Sequence, residues 1–218
     1  MIYLLLVCVC VGNYFPQHSF LLHKEGFTIS YDGRTKNAVW VYETLTKGDL
    51  SARKRCCFTI DRNLPEPVRS HLADFLESGY DRGHLCPYAD RRDCSTYLLS
   101  NVSPQIPDFN QGLWKRLEEY VRSLTGRFDA VHVITLPLFL ADAATRRVSY
   151  EVLGEHRVAV PTHFCKVIYA EKGAQTEVYV YVIPHRPLPK ESPLALYRIG
   201  LDELERLSGI VFQRVSTK

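Results

Sequence analysis

Asp81-Arg82-Gly83-His84 is followed, 26 residues after the histidine, by Asn110 at the head of an amphipathic stretch. A histidine can take a proton from water near neutral pH. An arginine fork can hold a phosphate, and a glycine lets the backbone turn sharply between the two. An asparagine carbonyl is a hard oxygen ligand of the kind magnesium accepts. These residue types together could carry metal-assisted cleavage of a phosphodiester. Each also has a plainer use, because a lone histidine after a glycine is more often structural and an asparagine ahead of a helix is often its cap.

Two kinds of element must position these groups. Asp81–Pro87 reads as a short extended piece running into a loop. Gln111–Thr125 is the clearest helix, with Leu113, Leu117, Val121 and Leu124 as its apolar stripe and Gly126 as its stop. At about 100° per residue, Asn110, Trp114, Glu118 and Arg122 form an i, i+4 row beside that stripe. One helix edge then presents an amide, a carboxylate and a guanidinium. A surface Glu118–Arg122 ion pair would use the same spacing.

Around them, Phe27–Tyr31 and Ala38–Thr46 read as strands joined near Asp32-Gly33. Pro65 and Pro67 suit the opening of a helix over 68–77 that Gly79 would end. The segments 130–136, 164–170 and 177–183 are rich in β-branched and aromatic residues, and the last two suit a hairpin. A short helix over Leu201–Ser208 stops at Gly209. Strands and helices mix without strict alternation, which favours an α+β fold.

A hydrophobic content of 46% and a charged content of 23% are those of a folded domain, not a disordered chain. The net charge of +3 permits a polyanionic partner without demanding one. Ile2 through Val11 is an unbroken apolar run ending at Gly12, too short to span a bilayer and suited to the apolar part of a leader (residues 1–12). That run favours a secreted or periplasmic destination, although no Lys or Arg precedes it. Outside it lie Cys56, Cys57, Cys86, Cys94 and Cys165, without a C-x-x-C pair, which argues against a structural zinc site. One or two disulfides are open to them in an oxidising compartment.

The segment from Ser78 to Pro87 (SGYDRGHLCP) resembles the signature of the DNA/RNA non-specific endonucleases, the ββα-metal or His-Me finger group. YLLSNVSPQ at 97–105 and FNQGLWKRLE at 109–118 are similar to the same family, as are VPTHFCKV at 160–167 and VIP at 182–184. Leu201–Phe212 resembles its closing helix and strand, so the likeness runs from about residue 27 to 212 as one domain. One departure is Leu136 ahead of Pro137, where the family usually has glycine.

The resemblance implies a ββα-metal fold: a central, mainly antiparallel sheet flanked by helices, with the metal-site helix at 111–125. It implies that His84 is the general base and that Asn110 is the sole protein ligand of magnesium, with manganese as its substitute. Glu118 matches a carboxylate that holds metal-bound water, and Arg82 and Arg122 match arginines that steady phosphate charge. Asp81 and Asn101 match positions that support the site loops, Asn101 close to substrate. Arg55 or Lys54 matches a basic residue ahead of the Phe58–Asp61 element. The implied activity is magnesium-dependent hydrolysis of DNA and RNA backbones with little sequence specificity, giving 5′-phosphate ends. The alternative is a catalytically inactive nucleic-acid-binding module on the same scaffold. A homodimer and an inhibitor protein are the other partners the family admits, and no stable membrane span is expected.

Overall fold

The computed structural model describes residues 16–48, 54–189 and 191–214. The apolar run Ile2–Val11 and most of the basic loop at 51–55 lie outside these residues. The centre is a six-stranded antiparallel sheet. Its strands include β1 (Ser19–Lys24), β2 (Phe27–Asp32) and β3 (Asn37–Thr46). Two further strands, β4 (Asp81–His84) and β5 (Val102–Gln105), form a separate antiparallel pair. The central sheet resumes with β6 (Ala130–Leu138). A small hairpin of β7 (Val152–Leu153) and β8 (Val158–Ala159) follows. The central sheet is completed by β9 (His163–Lys172) and β10 (Gln175–Pro184), in the order β1-β2-β3-β6-β9-β10.

Alternation along these strands buries both faces. Val131, Val133, Ile168 and Ile183 face one core, while Leu136, Cys165, Val167 and Val180 face another. The helices divide between the faces. The chain carries α1 (Tyr88–Arg91), α2 (Pro107–Phe109), α3 (Lys115–Ser123) and α4 (Leu201–Ser208). Leu117 and Val121 of α3 complete the first core, and Leu204 of α4 with Phe212 completes the second. A third cluster, built on Phe75, Leu99, Val102 and Leu153, underlies the β4–β5 pair.

The α+β expectation holds, and the five strands expected in the central sheet hold within two residues at each end, with β1, β5, β7 and β8 as additional strands. The helix expected over 68–77 does not form; only 3-10 turns occur, at Glu66–Val68 and Leu72–Phe75. Asp74 is the reason. Its carboxylate is buried and accepts from the backbone N–H of His71 at 2.7 Å and of His156, on the β7–β8 hairpin, at 3.2 Å. The local bond closes one turn and the bond to His156 ties that turn to the hairpin, and Leu72 and Leu76 are left exposed, so a continuing helix would have no core to cover. The closing strand expected before Phe212 does not form, because residues 210–214, the last described, carry no strand. Leu136 lies inside β6, paired with Cys165 and fully buried, so the family's glycine is replaced by core filling rather than by an altered turn.

Cys56 and Cys94 form a disulfide across 38 residues of sequence, while Cys57 is exposed and free and Cys86 and Cys165 are buried and free. A cross-link closing a loop of that length stabilises mainly by restricting the unfolded chain. Replacing both cysteines with serine is expected to lower the unfolding free energy by roughly 2–4 kcal/mol, read by urea denaturation. Wild-type protein already matching the double variant would show that the cross-link adds nothing.

Candidate active site

The two strands of the β4–β5 pair and the helical stretch after them form the site's frame. Register places His84 opposite Val102, Gly83 opposite Ser103 and Asp81 opposite Gln105. Gly83 is required by close approach, since a Cβ there would lie 2.2 Å from Cδ of Gln105. The helical stretch is broken at its start. Residues Asn110–Trp114 form a π-type turn, and Gly112 takes non-helical angles (φ −105°, ψ −111°). The regular helix expected from Gln111 therefore begins only at Lys115. Wide turns of this kind often mark functional positions.

Asp81, Arg82, His84 and Asn110 line one cleft of about 380 Å³, together with Phe58, Phe75, Tyr80 and Tyr97. Asn110 Nδ2 donates to Asp81 Oδ2 at 2.9 Å, and Gln111 Nε2 donates to the same oxygen at 3.0 Å. A carboxylate oxygen accepts, so the amide nitrogen of Asn110 is the atom facing Asp81. Its carbonyl oxygen is thereby directed away from the carboxylate and left to serve a hard cation. The donor set fits magnesium in that sense. Among the described residues, no cluster of three or more His, Cys, Asp or Glu could hold a metal ion. A cation here would keep most of its own waters.

His84 is walled by aromatic rings. Its centroid lies 5.2 Å from Phe58 and 4.6 Å from Tyr97, the latter edge-on. Burial pushes its pKa down to about 4, so the ring is neutral at pH 7, and Nε2 is buried without a hydrogen-bond partner. The Arg82 guanidinium sits 5.0 Å over the Phe58 ring, held in place by a cation–π contact that leaves its N–H groups available for an anion.

Asn101 is fully buried. Its side chain accepts from Cys86 N and donates to the carbonyls of Cys86 and Thr96, each at 2.9 Å. It ties down the loop after His84 and has no surface for substrate. Arg55 is exposed beside the disulfide-bonded Cys56 and does not line the cleft. Glu118 and Arg122 lie farther along α3. Arg122 Nε donates to Asp90 Oδ1 at 2.5 Å rather than to Glu118, and it lines a different cavity of about 350 Å³. Burial pushes the pKa of Glu118 up to about 7, opposed by the charges of Lys166 and Arg122.

Sequence reasoning missed the charges beneath the helix. Glu43 is buried, accepting from Cys86 Sγ at 3.3 Å and from Arg91 Nε at 3.2 Å, and burial pushes its pKa up to about 7. Lys166 is buried 4.9 Å over the Trp114 ring and donates to Thr135 Oγ1 at 2.7 Å. A signal for both existed. Glu43 shares its strand face with Val41 and Leu45, and Lys166 with Phe164 and Ile168, so each is a charge at an inward position of a period-two pattern.

A family model described as DNA/RNA non-specific endonuclease matches residues 10–217. Human mitochondrial endonuclease G is 41% identical over 210 residues, covering 90% of this chain and 70% of the human protein. The mitochondrial nuclease of Saccharomyces cerevisiae is 38% identical over 216 residues, covering 89% of this chain and 65% of the yeast protein. A chain of the solved EndoG/EndoGI complex is similar in structure, with a TM-score of 0.84 at 34% identity, covering 91% of this chain and 87% of that one. The expectation of a secreted or periplasmic protein is overturned, because these curated relatives are mitochondrial nucleases. Among the described residues, no helix is long and apolar enough to cross a membrane.

The low pKa of His84 has a consequence for stability. The unfolded chain protonates this histidine near 6.5 and the folded one only near 4, so the unfolded state binds the extra proton first as pH falls. The stabilising contribution is complete above about 6.5 and is lost towards 4. The stability of wild type relative to His84→Leu is therefore expected to decline between pH 7 and pH 4.5 in urea titrations. A pH-independent difference would show that His84 is not held neutral by the fold.

Proposed function

The chain belongs to the DNA/RNA non-specific endonuclease family, and from that premise we propose that it hydrolyses the phosphodiester backbone of both DNA and RNA with magnesium, leaving 5′-phosphate and 3′-hydroxyl ends. The observation that carries the reading is the meeting of His84, Arg82 and Asn110 in one cleft, with the Asn110 nitrogen engaged by Asp81.

Neutral His84 takes a proton from the attacking water. The water oxygen bonds to phosphorus as the bond to the 3′-oxygen breaks on the opposite side. Arg82, steadied on Phe58, balances the charge that gathers on the phosphoryl oxygens. Asp81 holds the Asn110 amide in the orientation that would present its carbonyl to magnesium, and Glu118 would hold water around the cation. Magnesium, when bound, supplies positive charge to the phosphoryl group and the leaving oxygen. Asn101 keeps the His84 loop in place, while Arg122, held by Asp90, and Arg55 lie outside the cleft and are given no part in the step. Manganese is the expected substitute metal. None of these steps uses a 2′-hydroxyl, so the sugar is not discriminated.

The mitochondrial relatives make a mitochondrial location the proposal for this chain. The EndoG/EndoGI complex makes an inhibitor protein of that type a candidate partner, beside a second copy of the chain.

Supercoiled DNA and structured RNA should both be cut by wild type with magnesium and by neither wild type with chelator nor His84→Ala. Replacing a general base is expected to reduce the rate by about 10²–10⁴-fold. Cleavage should also weaken with rising salt, because backbone contacts release counterions. Full activity in chelator would remove the metal from the scheme, and full activity in His84→Ala would remove the base. Magnesium-dependent binding without any cleavage by wild type would favour the inactive binding module.

A further inference from the structure

His185 follows the last residue of β10 and lies half-buried against the segment that leads into the metal-site turn. Its Nδ1 is 2.8 Å from the carbonyl oxygen of Pro161, and its Nε2 is 2.8 Å from the backbone nitrogen of Ile106. Each partner allows one role. A carbonyl oxygen only accepts, so Nδ1 carries the proton; a backbone N–H only donates, so Nε2 is bare. Both contacts can be made by one species alone, the neutral imidazole protonated on Nδ1.

The chain of hydrogen bonds does not stop at Ile106. The carbonyl of Ile106 accepts from the backbone N–H of Asn110 at 2.9 Å, and the Asn110 side chain donates to Asp81 at 2.9 Å. One row therefore runs from Pro161 through His185, Ile106 and Asn110 to Asp81. Asn110 donates at both of its contacts, so the row acts by fixing the position of the Ile106 backbone and of the turn after it, not by passing polarisation along. The ring is also clamped by aromatic edges, with centroids 5.1 Å from Phe109 and 5.0 Å from Phe164, which fixes its plane.

We propose that His185 is a positioning residue for the reaction, setting the backbone of the turn that carries Asn110 and so the metal affinity of its carbonyl oxygen. This rests on the nuclease reading above. His185 does not itself line the cleft and contacts none of Asp81, Arg82 or His84; it reaches the turn through its bond to Ile106 and its ring contact with Phe109, and it meets the cleft wall only at the Tyr80 ring, 6.1 Å away. Burial supports the required protonation state by lowering the pKa of His185 to about 4, and the neighbouring His163 acts in the same direction. No other part of the proposed mechanism uses this imidazole.

The test compares wild type, His185→Phe and His185→Gln, with Asn110→Ala as the reference for lost metal binding. Phenylalanine keeps ring packing and removes both polar atoms; glutamine keeps an acceptor and a donor at the end of a similar reach. Manganese binding is measured by electron paramagnetic resonance without nucleic acid, and the metal concentration for half-maximal cleavage is measured separately. Removing a group that orients a ligand from outside its coordination shell is expected to weaken metal binding by roughly 10- to 100-fold in His185→Phe, with substantial recovery in His185→Gln. Wild-type affinity in His185→Phe overturns the proposal. A second arm needs no variant: long-range ¹⁵N correlation spectra of wild type should show His185 as the Nδ1–H tautomer at pH 7. An Nε2–H or doubly protonated ring overturns the proposal even where a variant fails to fold. If wild type binds manganese but cuts no nucleic acid, the nuclease reading fails while the positioning role stands on the binding data. If wild type binds no manganese, both fail.

Discussion

Asp81 Oδ2 accepts from the side-chain amides of Asn110 and Gln111, and through that one oxygen the β4 strand and the helical stretch are locked into a single unit. The bond spans 29 residues of sequence, so it can form only once β4 has paired with β5 and the chain has turned into α2. Asp81 lies three residues before His84 on the same short strand, which fixes the spacing between a proton acceptor and an amide oxygen. A hydrogen bond to a carboxylate contributes about 1.5–3 kcal/mol of net stability. Its geometric effect is larger, because an amide free to rotate would present nitrogen to the cleft as readily as oxygen.

The support beneath this lock is unusually charged for the inside of a small domain. Glu43 and Lys166 are buried, Glu118 is partly so, and Asp90 pairs with Arg122. Removing a carboxylate from water costs several kcal/mol unless partners restore it. Here the partners are shared: Arg91 serves Glu43, while the charges of Lys166 act on both Glu43 and Glu118. Restoration is incomplete, since both glutamates are pushed up to about 7. Their effect on stability runs opposite to that of the buried histidines. The folded state binds the carboxylate protons more tightly, so these groups favour folding at low pH and lose that contribution as pH rises from about 4.5 to 7. His84 and His185 favour folding on the neutral side. A hydrophobic replacement of the whole charged set could be as stable. Its presence under α3 is better explained by the site above it than by the core.

Rigidity around His84 comes from several weak, converging contacts. Phe58 and Tyr97 flank the ring from two segments, and the Cys56–Cys94 disulfide joins those segments. Asn101 closes the loop on the far side of the strand. The cleft therefore inherits its shape from a cross-link and a buried amide, both away from the reacting groups.

Much of this was legible in the chain. β-branched and aromatic content between turn signals located five of the six strands of the central sheet, and the spacing of Leu113, Leu117, Val121 and Leu124 located α3, because those leucines and valine meet the core. Residue types at Asp81, Arg82, His84 and Asn110 pointed to the proposed chemistry before any geometry, since few combinations offer a base, a phosphate fork and a hard oxygen ligand. Tertiary structure alone decided the rest. It turned residues 68–77 away from a helix by binding Asp74 to a distant hairpin, and it broke the helical stretch at Gly112. It also withdrew Asn101 into the interior and gave Arg122 to Asp90. Periodicity reports which face of an element is apolar. It does not report which partner, tens of residues away, will satisfy a buried polar group, because that choice depends on contacts formed only when the whole chain has packed.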